Sequence, residues 1–212
     1  MKKTDGTAIT LICFDLGGVL IRLGSSATFR SMAGVDARAA SLLRDNFHRD
    51  QSDFSLLESY QLGHIDSTAY FATLRKELRL DLSLEELEAR FVRECIAGDN
   101  AECVDLLGRL RPLIKLACFS NTCAAHWSYI LKTFPWMSWF DLSMASHLEG
   151  HAKPQLQAFE AICRKGLVRP AECLFIDDRE ANIEGAAAMG MHTHLFRSAV
   201  ELRAALQGLK IL

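Results

Sequence analysis

The amino-acid sequence predicts an α/β protein in which a parallel β-sheet lies between two layers of helices, with a helical segment inserted after the first strand. Three observations lead to this fold class. Short, continuously apolar runs recur along the chain, polar residues close most of them, and helical patterns alternate with them. An apolar run of this length indicates a strand that is buried on both faces, as in a parallel sheet.

The predicted strands cover residues 10–14, 113–119, 173–176 and 191–196. Polar residues directly follow the first three of them: Asp15, then Ser120 with Asn121, then Asp177 with Asp178. The carboxyl ends of parallel strands meet at one edge of a sheet, where open α/β sheets bind their ligands. We therefore expect these five side chains to converge on one crevice.

Helical patterns between and after these strands cover residues 126–134, 154–165, 180–189 and 199–206. The segment 25–109 differs, because it has no convincing strand and four helical patterns, over residues 36–47, 53–61, 67–78 and 84–96. Ser83 with Glu86 three residues later is the capping box expected at the start of the last of these helices. The chain is thus predicted to have a core of residues 1–24 and 110–212 and a helical insertion of residues 25–109.

The composition narrows the class of partner. Half of the 212 residues are hydrophobic, and 24 basic against 26 acidic residues give a net charge of −2, with no basic block. These values predict a compact protein that binds a small molecule, and they argue against nucleic-acid and membrane partners. Seven cysteines without a C-x-x-C pair indicate reduced thiols and a cytoplasmic location. Asp15 interrupts the apolar stretch 8–23, so no signal or membrane span is predicted, and a monomer and a homodimer both remain open.

Two of the polar groups are suited to phosphate chemistry. Asp15 stands at a strand end beside Gly17 and Gly18, where backbone amides can approach a phosphate while the carboxylate attacks it. Ser120 and Asn121 offer a hydroxyl and an amide to phosphate oxygens. Each motif also has an ordinary structural explanation, as turn chemistry in the first case and a helix cap in the second.

Charged residues supply the remaining two elements. Lys153 precedes a predicted helix, where its ammonium can neutralise a phosphate or the attacking carboxylate, although most single lysines face solvent. Asp177 and Asp178 are adjacent carboxylates at the end of an apolar strand. They repel each other and are costly to desolvate, so a bound hard cation such as Mg²⁺ is the natural compensation.

Taken together in chain order, these four groups of polar residues resemble the motifs of the haloacid dehalogenase-like hydrolase superfamily. The resemblance spans the chain, since the insertion is similar to the superfamily's helical cap domain, and it is closest to the phosphatases that include bacterial glucose-1-phosphate phosphatase and the N-terminal domain of soluble epoxide hydrolase. The matching residues are Phe14-Asp15-Leu16-Gly17-Gly18-Val19, Ser120-Asn121-Thr122 with His126, Gly150-His151-Ala152-Lys153-Pro154, and Phe175-Ile176-Asp177-Asp178 with Asn182, Ala186, Gly190 and Met191.

The resemblance implies a three-layer Rossmann-like core with an α-helical cap and a phosphatase acting on a small phosphorylated metabolite, such as a sugar phosphate. It implies that Asp15 is the nucleophile, forming an aspartyl-phosphate, and that Lys153 balances charge. The implied phosphate-binding residues are Leu16, Gly17, Ser120, Asn121 and Lys153. The implied Mg²⁺ ligands are the Asp15 carboxylate, the Gly17 carbonyl and Asp178, with Asp177 acting either through water or as a neighbour of the ligands.

Gly17 departs from the superfamily pattern. Most of its phosphatases carry a second Asp two residues after the nucleophile, to protonate the leaving oxygen and activate water. The sequence leaves open whether the cap or the substrate supplies the proton, whether good leaving groups are favoured, or whether turnover is slow. Two alternatives to a phosphatase follow: a metal-independent 2-haloacid dehalogenase, against which Asp177 and Asp178 argue, and a non-catalytic binding or regulatory protein on the same fold.

Overall fold

The structure is a computed structural model that describes residues 8–24 and 54–212. The predicted helix over residues 36–47 lies outside the described residues. The described strands are β1 (Leu11–Phe14), β2 (Ile21–Leu23), β3 (Ile96–Asp99), β4 (Lys115–Ser120), β5 (Leu142–Ala145), β6 (Cys173–Asp177) and β7 (His192–Leu195). The described α-helices are α1 (Leu56–Gln61), α2 (Ser67–Glu77), α3 (Leu84–Cys95), α4 (Ala101–Leu110), α5 (Ala124–Thr133), α6 (Ser146–Glu149), α7 (Leu156–Gly166), α8 (Glu180–Ala188) and α9 (Ala199–Gly208).

A five-stranded parallel sheet forms the centre of the molecule, with the strand order β5-β4-β1-β6-β7. Strand β1 is central and wholly buried, as its unbroken apolar sequence predicts. Phe14, its last residue, pairs with Cys118 of β4 and Ile176 of β6. This register brings the carboxyl ends of three neighbouring strands level, which is the arrangement that the polar strand ends predict.

Helices cover both faces of the sheet, so the predicted three-layer α/β architecture is confirmed. Alternate residues of β1 point to opposite faces, because the side-chain period of a strand is two. Ile12 and Phe14 belong to the hydrophobic cluster that includes residues of α4, α5 and α9. Leu11 and Cys13 belong to a second cluster, with residues of α7 and α8.

The predicted helical segment also contains a strand, so the prediction of a strand-free segment 25–109 was wrong. Strand β3 pairs antiparallel with β2, and Ile21 lies opposite Asp99. Strand β5, at the edge of the main sheet, was likewise not predicted. These strands have only three or four residues, which is too short for a hydrophobic period to develop, and pairing with a distant part of the chain stabilises them.

The cap-side helices α1, α2 and α3 are the predicted ones. Ser83 and Glu86 form the expected capping box at the start of α3, and Ser55 with Glu58 forms another at α1. Helix α4 lies within the predicted insertion but packs against α9 of the core. The boundary between core and cap at residues 109 and 110 stays a prediction. In the described parts of the chain, no helix is long and apolar enough to cross a membrane.

Candidate active site

The polar strand ends meet at one edge of the parallel sheet. Asp15 follows β1 directly, Ser120 is the last residue of β4, and Asp177 is the last residue of β6. Lys153 reaches the same point from the segment that precedes α7. Residues that are far apart in sequence are thus brought together by strand register.

Lys153 is the centre of this cluster. Its side chain is 1% exposed, and its Nζ lies 2.9 Å from Asp15 Oδ1 and 2.8 Å from Asp177 Oδ2. The ammonium also lies over the rings of Phe119 and Phe175, with its Nζ 5.9 Å and 5.4 Å from the two ring centroids. A buried ammonium is stable only when it is paired, and here two carboxylates share it.

Burial and pairing shift the pKa values of this cluster in a consistent way. Burial raises the pKa of Asp15 to about 7, with Asp177 and Asp178 adding to the rise and Lys153 opposing it. Burial works against the charged form of Lys153, but Asp15 and Asp177 outweigh it and raise the pKa of the ammonium. Lys153 is therefore a fixed positive charge. Burial and mutual repulsion disfavour the negative charges of the carboxylates beside it, and a further cation would reduce this free-energy cost.

Asp177 has both oxygens engaged by protein groups. Its Oδ1 accepts hydrogen bonds from the Arg179 amide at 2.9 Å and from Asn182 Nδ2 at 2.9 Å. Its Oδ2 accepts from Lys153 Nζ at 2.8 Å and again from Asn182 Nδ2 at 3.0 Å. This network uses the carboxylate to position Lys153, and it leaves little capacity for direct contact with a metal ion.

Asp178 is placed differently from its neighbour. Its carboxylate lies against Gly18, where φ is +80°, and a Cβ added there would collide with Asp178 Oδ2. Burial raises the pKa of Asp178, and Asp177 raises it further. Carboxylate oxygens of Asp15, Asp177 and Asp178 lie within 4.8 Å of one another, and these three residues are a candidate metal-holding group of the described chain.

Ser120 and Asn121, the polar residues at the end of β4, make different contacts. Ser120 is buried at the end of β4 and lines the cavity at the site. Asn121 also lines it, but its side chain binds the backbone of Lys153: Nδ2 donates to the Lys153 carbonyl at 2.7 Å, and Oδ1 accepts from the Lys153 amide at 2.9 Å. The amide group predicted to orient phosphate is thus occupied in holding Lys153.

Leu16 and Gly17 form the turn after Asp15. The Leu16 amide donates to Asp15 Oδ1 at 2.7 Å, while the Leu16 side chain is fully buried. Gly17 lines the cavity, and its φ lies outside the left-handed region. A Cβ added at Gly17 would lie 3.3 Å from Cδ2 of Leu23, an exposed and movable side chain. The glycine is therefore not required by backbone conformation.

A cavity of about 340 Å³ opens over this cluster. Its polar end is formed by Asp15, Gly17, Ser120, Asn121, Thr122, Lys153, Asp178, Arg179 and Asn182. Its other end is mostly apolar and is formed by Leu23, Leu57, Gln61, Phe91, Cys95, Ile96, His126 and Ile130. The cavity joins the strand ends of the core to helices α1 and α3 of the insertion.

Comparison with known proteins agrees with this geometry. The family model of the haloacid dehalogenase-like hydrolases matches residues 9–190. The chain belongs to this family. The predicted superfamily, and the prediction of a hydrolase, are confirmed.

Individual haloacid dehalogenase-like hydrolases are also similar to this chain, in sequence and in structure. The chain is 23% identical over 190 residues to D-ribitol-5-phosphate phosphatase of Bacteroides thetaiotaomicron, covering 86% of this chain and 89% of that one. A family enzyme of Bacteroides thetaiotaomicron, crystallised with magnesium and inorganic phosphate, is 24% identical, with a TM-score of 0.77 over 90% of this chain and 95% of that chain. A predicted family hydrolase of Porphyromonas gingivalis is 24% identical, with a TM-score of 0.79 over 95% of this chain and 98% of that chain. These findings confirm the fold and support the expected class of enzyme, a phosphatase.

Several residues gain a role only in the structure of this haloacid dehalogenase-like hydrolase. Buried Ser146 accepts a hydrogen bond from the Thr122 amide at 2.9 Å and donates to the Gln61 carbonyl at 2.6 Å, which links the loop after β4 to helix α1. The Tyr60 hydroxyl accepts from the Ala125 amide at 3.1 Å, a second link between the same parts. Single serines and tyrosines carry no sequence signal of such long-range contacts, so the sequence alone does not reveal them.

Proposed function

We propose that this protein is a Mg²⁺-dependent phosphatase that hydrolyses a small phosphorylated metabolite through an aspartyl-phosphate on Asp15. The observation that carries the proposal is the buried Lys153 ammonium, which joins Asp15 to Asp177 at the floor of a cavity, with Asp178 beside them. A fixed cation next to a carboxylate at the ends of parallel strands is suited to binding a phosphate and attacking it.

The contacts of Asp15 support its role as nucleophile. Its Oδ1 is held by the Leu16 amide and by Lys153 Nζ, while no described residue donates a hydrogen bond to Oδ2. In the proposed reaction, a carboxylate oxygen of Asp15 forms a bond to phosphorus as the ester P–O bond breaks and the leaving oxygen takes up a proton. Water then attacks phosphorus, which releases phosphate and restores the carboxylate.

The residues present fit a magnesium ion. Three carboxylates face one ammonium, which leaves an excess of negative charge in a site where burial disfavours it, and oxygen donors are the ligands that Mg²⁺ prefers. Because the oxygens of Asp177 are engaged by protein donors, the carboxylates of Asp15 and Asp178 and the Gly17 carbonyl are the proposed ligands. When bound, the ion would supply positive charge to the phosphate oxygens in the transition state.

The remaining site residues serve binding and positioning. We assign phosphate binding to Ser120, to Lys153 and to the backbone of Leu16 and Gly17. The Asn121 side chain holds the Lys153 backbone through two hydrogen bonds, so its proposed contribution to phosphate binding is indirect. This arrangement fixes the ammonium before the substrate arrives, which is the condition for effective electrostatic stabilisation.

The class of substrate follows from the cavity and from Gly17. A cavity of about 340 Å³ holds a phosphate group and a leaving group of a few carbon atoms. D-ribitol-5-phosphate phosphatase, the relative described above, supports a sugar or polyol phosphate of this size. With glycine in place of an acidic residue, leaving groups of low basicity, such as acyl, aryl and anomeric sugar oxygens, are expected to react fastest.

One assay tests the proposal against its alternatives. The purified protein is incubated with a panel of phosphate esters in Mg²⁺ and in EDTA, and phosphate release is measured. 2-Chloropropionate is incubated in parallel, and chloride release is measured. Phosphate release that requires Mg²⁺ supports the proposal, while chloride release in EDTA would identify a dehalogenase. Absence of both reactions would indicate a binding or regulatory protein.

A further inference from the structure

The apolar end of the cavity contains two polar atoms without a partner in the described part of the chain. These are Nε2 of His126, on α5, and Oε1 of Gln61, the last residue of α1. Both residues line the cavity, and Gln61 is 9% exposed. A buried polar atom without a hydrogen bond costs free energy, so such atoms at the wall of a ligand cavity point to a group that the ligand brings.

The surroundings of His126 determine what its free nitrogen can do. Its ring stacks on Phe91, with the centroids 4.4 Å apart and the planes at 9°, and it is hydrogen-bonded to the Phe91 backbone. Burial lowers the pKa of His126 to about 4, so the imidazole is neutral near pH 7. A neutral imidazole that gives its one N–H to a backbone carbonyl presents its other nitrogen as an acceptor.

Gln61 is held in place independently of its side chain. Its backbone carbonyl accepts the 2.6 Å hydrogen bond from Ser146, and the neighbouring Tyr60 hydroxyl accepts from Ala125, the residue before His126. The first contact joins α1 to α6, and the second joins α1 to α5, the helix of His126. Two acceptors thus lie on helices that are held together, in a cavity wall that also includes the apolar side chains of Leu57, Ile96 and Ile130.

We infer that His126 Nε2 and Gln61 Oε1 form a subsite that accepts hydrogen bonds from hydroxyl groups on the leaving group of the substrate. The inference rests on the proposed phosphatase function and narrows its substrate class to phosphate esters of hydroxylated carbon chains, such as polyols and sugars. Such a molecule presents C–H groups to the apolar wall and hydroxyl hydrogens to the two acceptors. A simple alkyl ester of the same length satisfies only the wall.

The test uses a matched pair of esters, a five-carbon polyol 5-phosphate and n-pentyl phosphate. Both release a primary alcohol, so they differ chiefly in hydroxyl groups. We expect the wild-type protein to favour the polyol ester in kcat/KM by at least tenfold. His126→Phe keeps the ring that stacks on Phe91 but removes the acceptor, and is expected to reduce this preference about fivefold, the usual effect of one neutral hydrogen bond.

Further variants separate hydrogen bonding from structure. His126→Gln places an amide oxygen near the position of Nε2 and is expected to retain most of the preference. Gln61→Met removes the second acceptor at similar volume and tests the subsite independently if His126→Phe does not fold. His64→Gln alters an exposed histidine outside the cavity and is expected to leave the ratio unchanged. An unchanged ratio in both His126→Phe and Gln61→Met would overturn the inference.

A binding measurement distinguishes failure of this inference from failure of the proposed function. Titration calorimetry of the Asp15→Asn protein with the two esters measures recognition without turnover. Tighter binding of the polyol ester that disappears with His126→Phe would support the subsite even in a protein that hydrolyses neither ester. Equal affinity for the two esters would contradict the subsite even in an active phosphatase.

Discussion

The two ends of the cavity differ in whether the protein satisfies the hydrogen-bonding groups that lie there. At the floor, Lys153 and Asp177 satisfy each other and their neighbours through short hydrogen bonds, so that the charges are fixed before a ligand binds. At the cap side, His126 and Gln61 present polar atoms that no described residue satisfies. Under the proposed function, the reacting phosphate would meet a preformed site, whereas the rest of the substrate would supply hydrogen bonds that the protein does not.

The strongest test of the preformed end is removal of the proposed nucleophile, Asp15. Asp15→Asn keeps the shape of the side chain but cannot form the acyl phosphate, so hydrolysis of every ester is expected to fall by at least 10³-fold. Steady-state phosphate release measures the loss, and circular dichroism checks that the fold is retained. Near-wild-type activity would exclude Asp15 from the mechanism.

Lys153→Met tests whether the ammonium holds this end together. Without it, the carboxylates of Asp15 and Asp177 face each other unpaired, and we expect loss of activity with a destabilisation of about 3–5 kcal/mol. Urea unfolding measures the free energy change. The control is Lys165→Met, whose ammonium makes a 2.6 Å ion pair with Glu149 but is 43% exposed, and whose loss is expected to cost less than about 1 kcal/mol. Equal effects of the two substitutions would contradict a structural role for the buried pair.

Asp178→Ala distinguishes the role of Asp178 from that of its neighbour Asp177. We expect Mg²⁺ affinity to fall at least tenfold, while the melting temperature without metal rises because the repulsion with Asp177 is relieved. Calorimetric titration with Mg²⁺ and thermal unfolding in EDTA give the two quantities. Glu180→Ala, which removes an exposed carboxylate of α8, is the matched control and is expected to change neither. Unchanged metal dependence in Asp178→Ala would remove this residue from the proposed ligands.

Gly17→Asp tests the part of the site where the two ends meet, because in the proposed reaction an acidic group at this position would protonate the leaving oxygen. The backbone there tolerates a side chain, and the atoms nearest to an added Cβ belong to Leu23. General acid–base catalysis is typically worth 10²–10⁴-fold, so turnover of alkyl phosphates is expected to rise by about tenfold or more, with a smaller gain for aryl phosphates. Gly17→Asn is the control without an acidic group. A folded Gly17→Asp protein with the leaving-group dependence of the wild type would show that another group supplies the proton.

The last expected effect concerns His126 and is one of stability alone. Burial lowers the pKa of His126 from 6.5 to about 4, so the unfolded chain binds a proton more readily than the folded protein between these values. Stability from this residue is therefore present above about pH 6.5 and is lost as the pH falls towards 4. His126→Phe is expected to lose about 2 kcal/mol less free energy of unfolding than the wild type between pH 7 and pH 5. Urea titrations at both pH values measure the difference, and identical losses would contradict the burial of a neutral imidazole.

Much of the floor of the cavity was predictable from local sequence. The apolar run that ends at Asp15 and the run that ends at Asp177 are signals of buried parallel strands, and strand register then forces their polar ends together. The Ser83 and Glu86 capping box was predictable for the same reason, since both partners lie within one turn of helix. The sequence by itself therefore determined two kinds of feature: interactions within one helical turn, and the positions of polar residues at the ends of neighbouring parallel strands.

The roles within the cluster depended on tertiary structure. That the Asn121 amide binds the Lys153 backbone, and that Asp177 is saturated while Asp178 is not, are consequences of side-chain directions at distances of a few ångströms. Sequence spacing between motifs does not specify such directions. The pairing of β2 with β3 has the same origin, because short strands are selected by their partners rather than by their own periodicity.

The sequence by itself therefore determined the layered fold, the nucleophile candidate and the acidic pair, because strong and repeated local patterns encode buried strands and their ends. Only the tertiary structure decided which of these polar groups are satisfied by the protein and which are left for a ligand. Hydrogen bonding is short-ranged and directional, so the partner of a buried polar atom such as His126 Nε2 is a property of the folded chain.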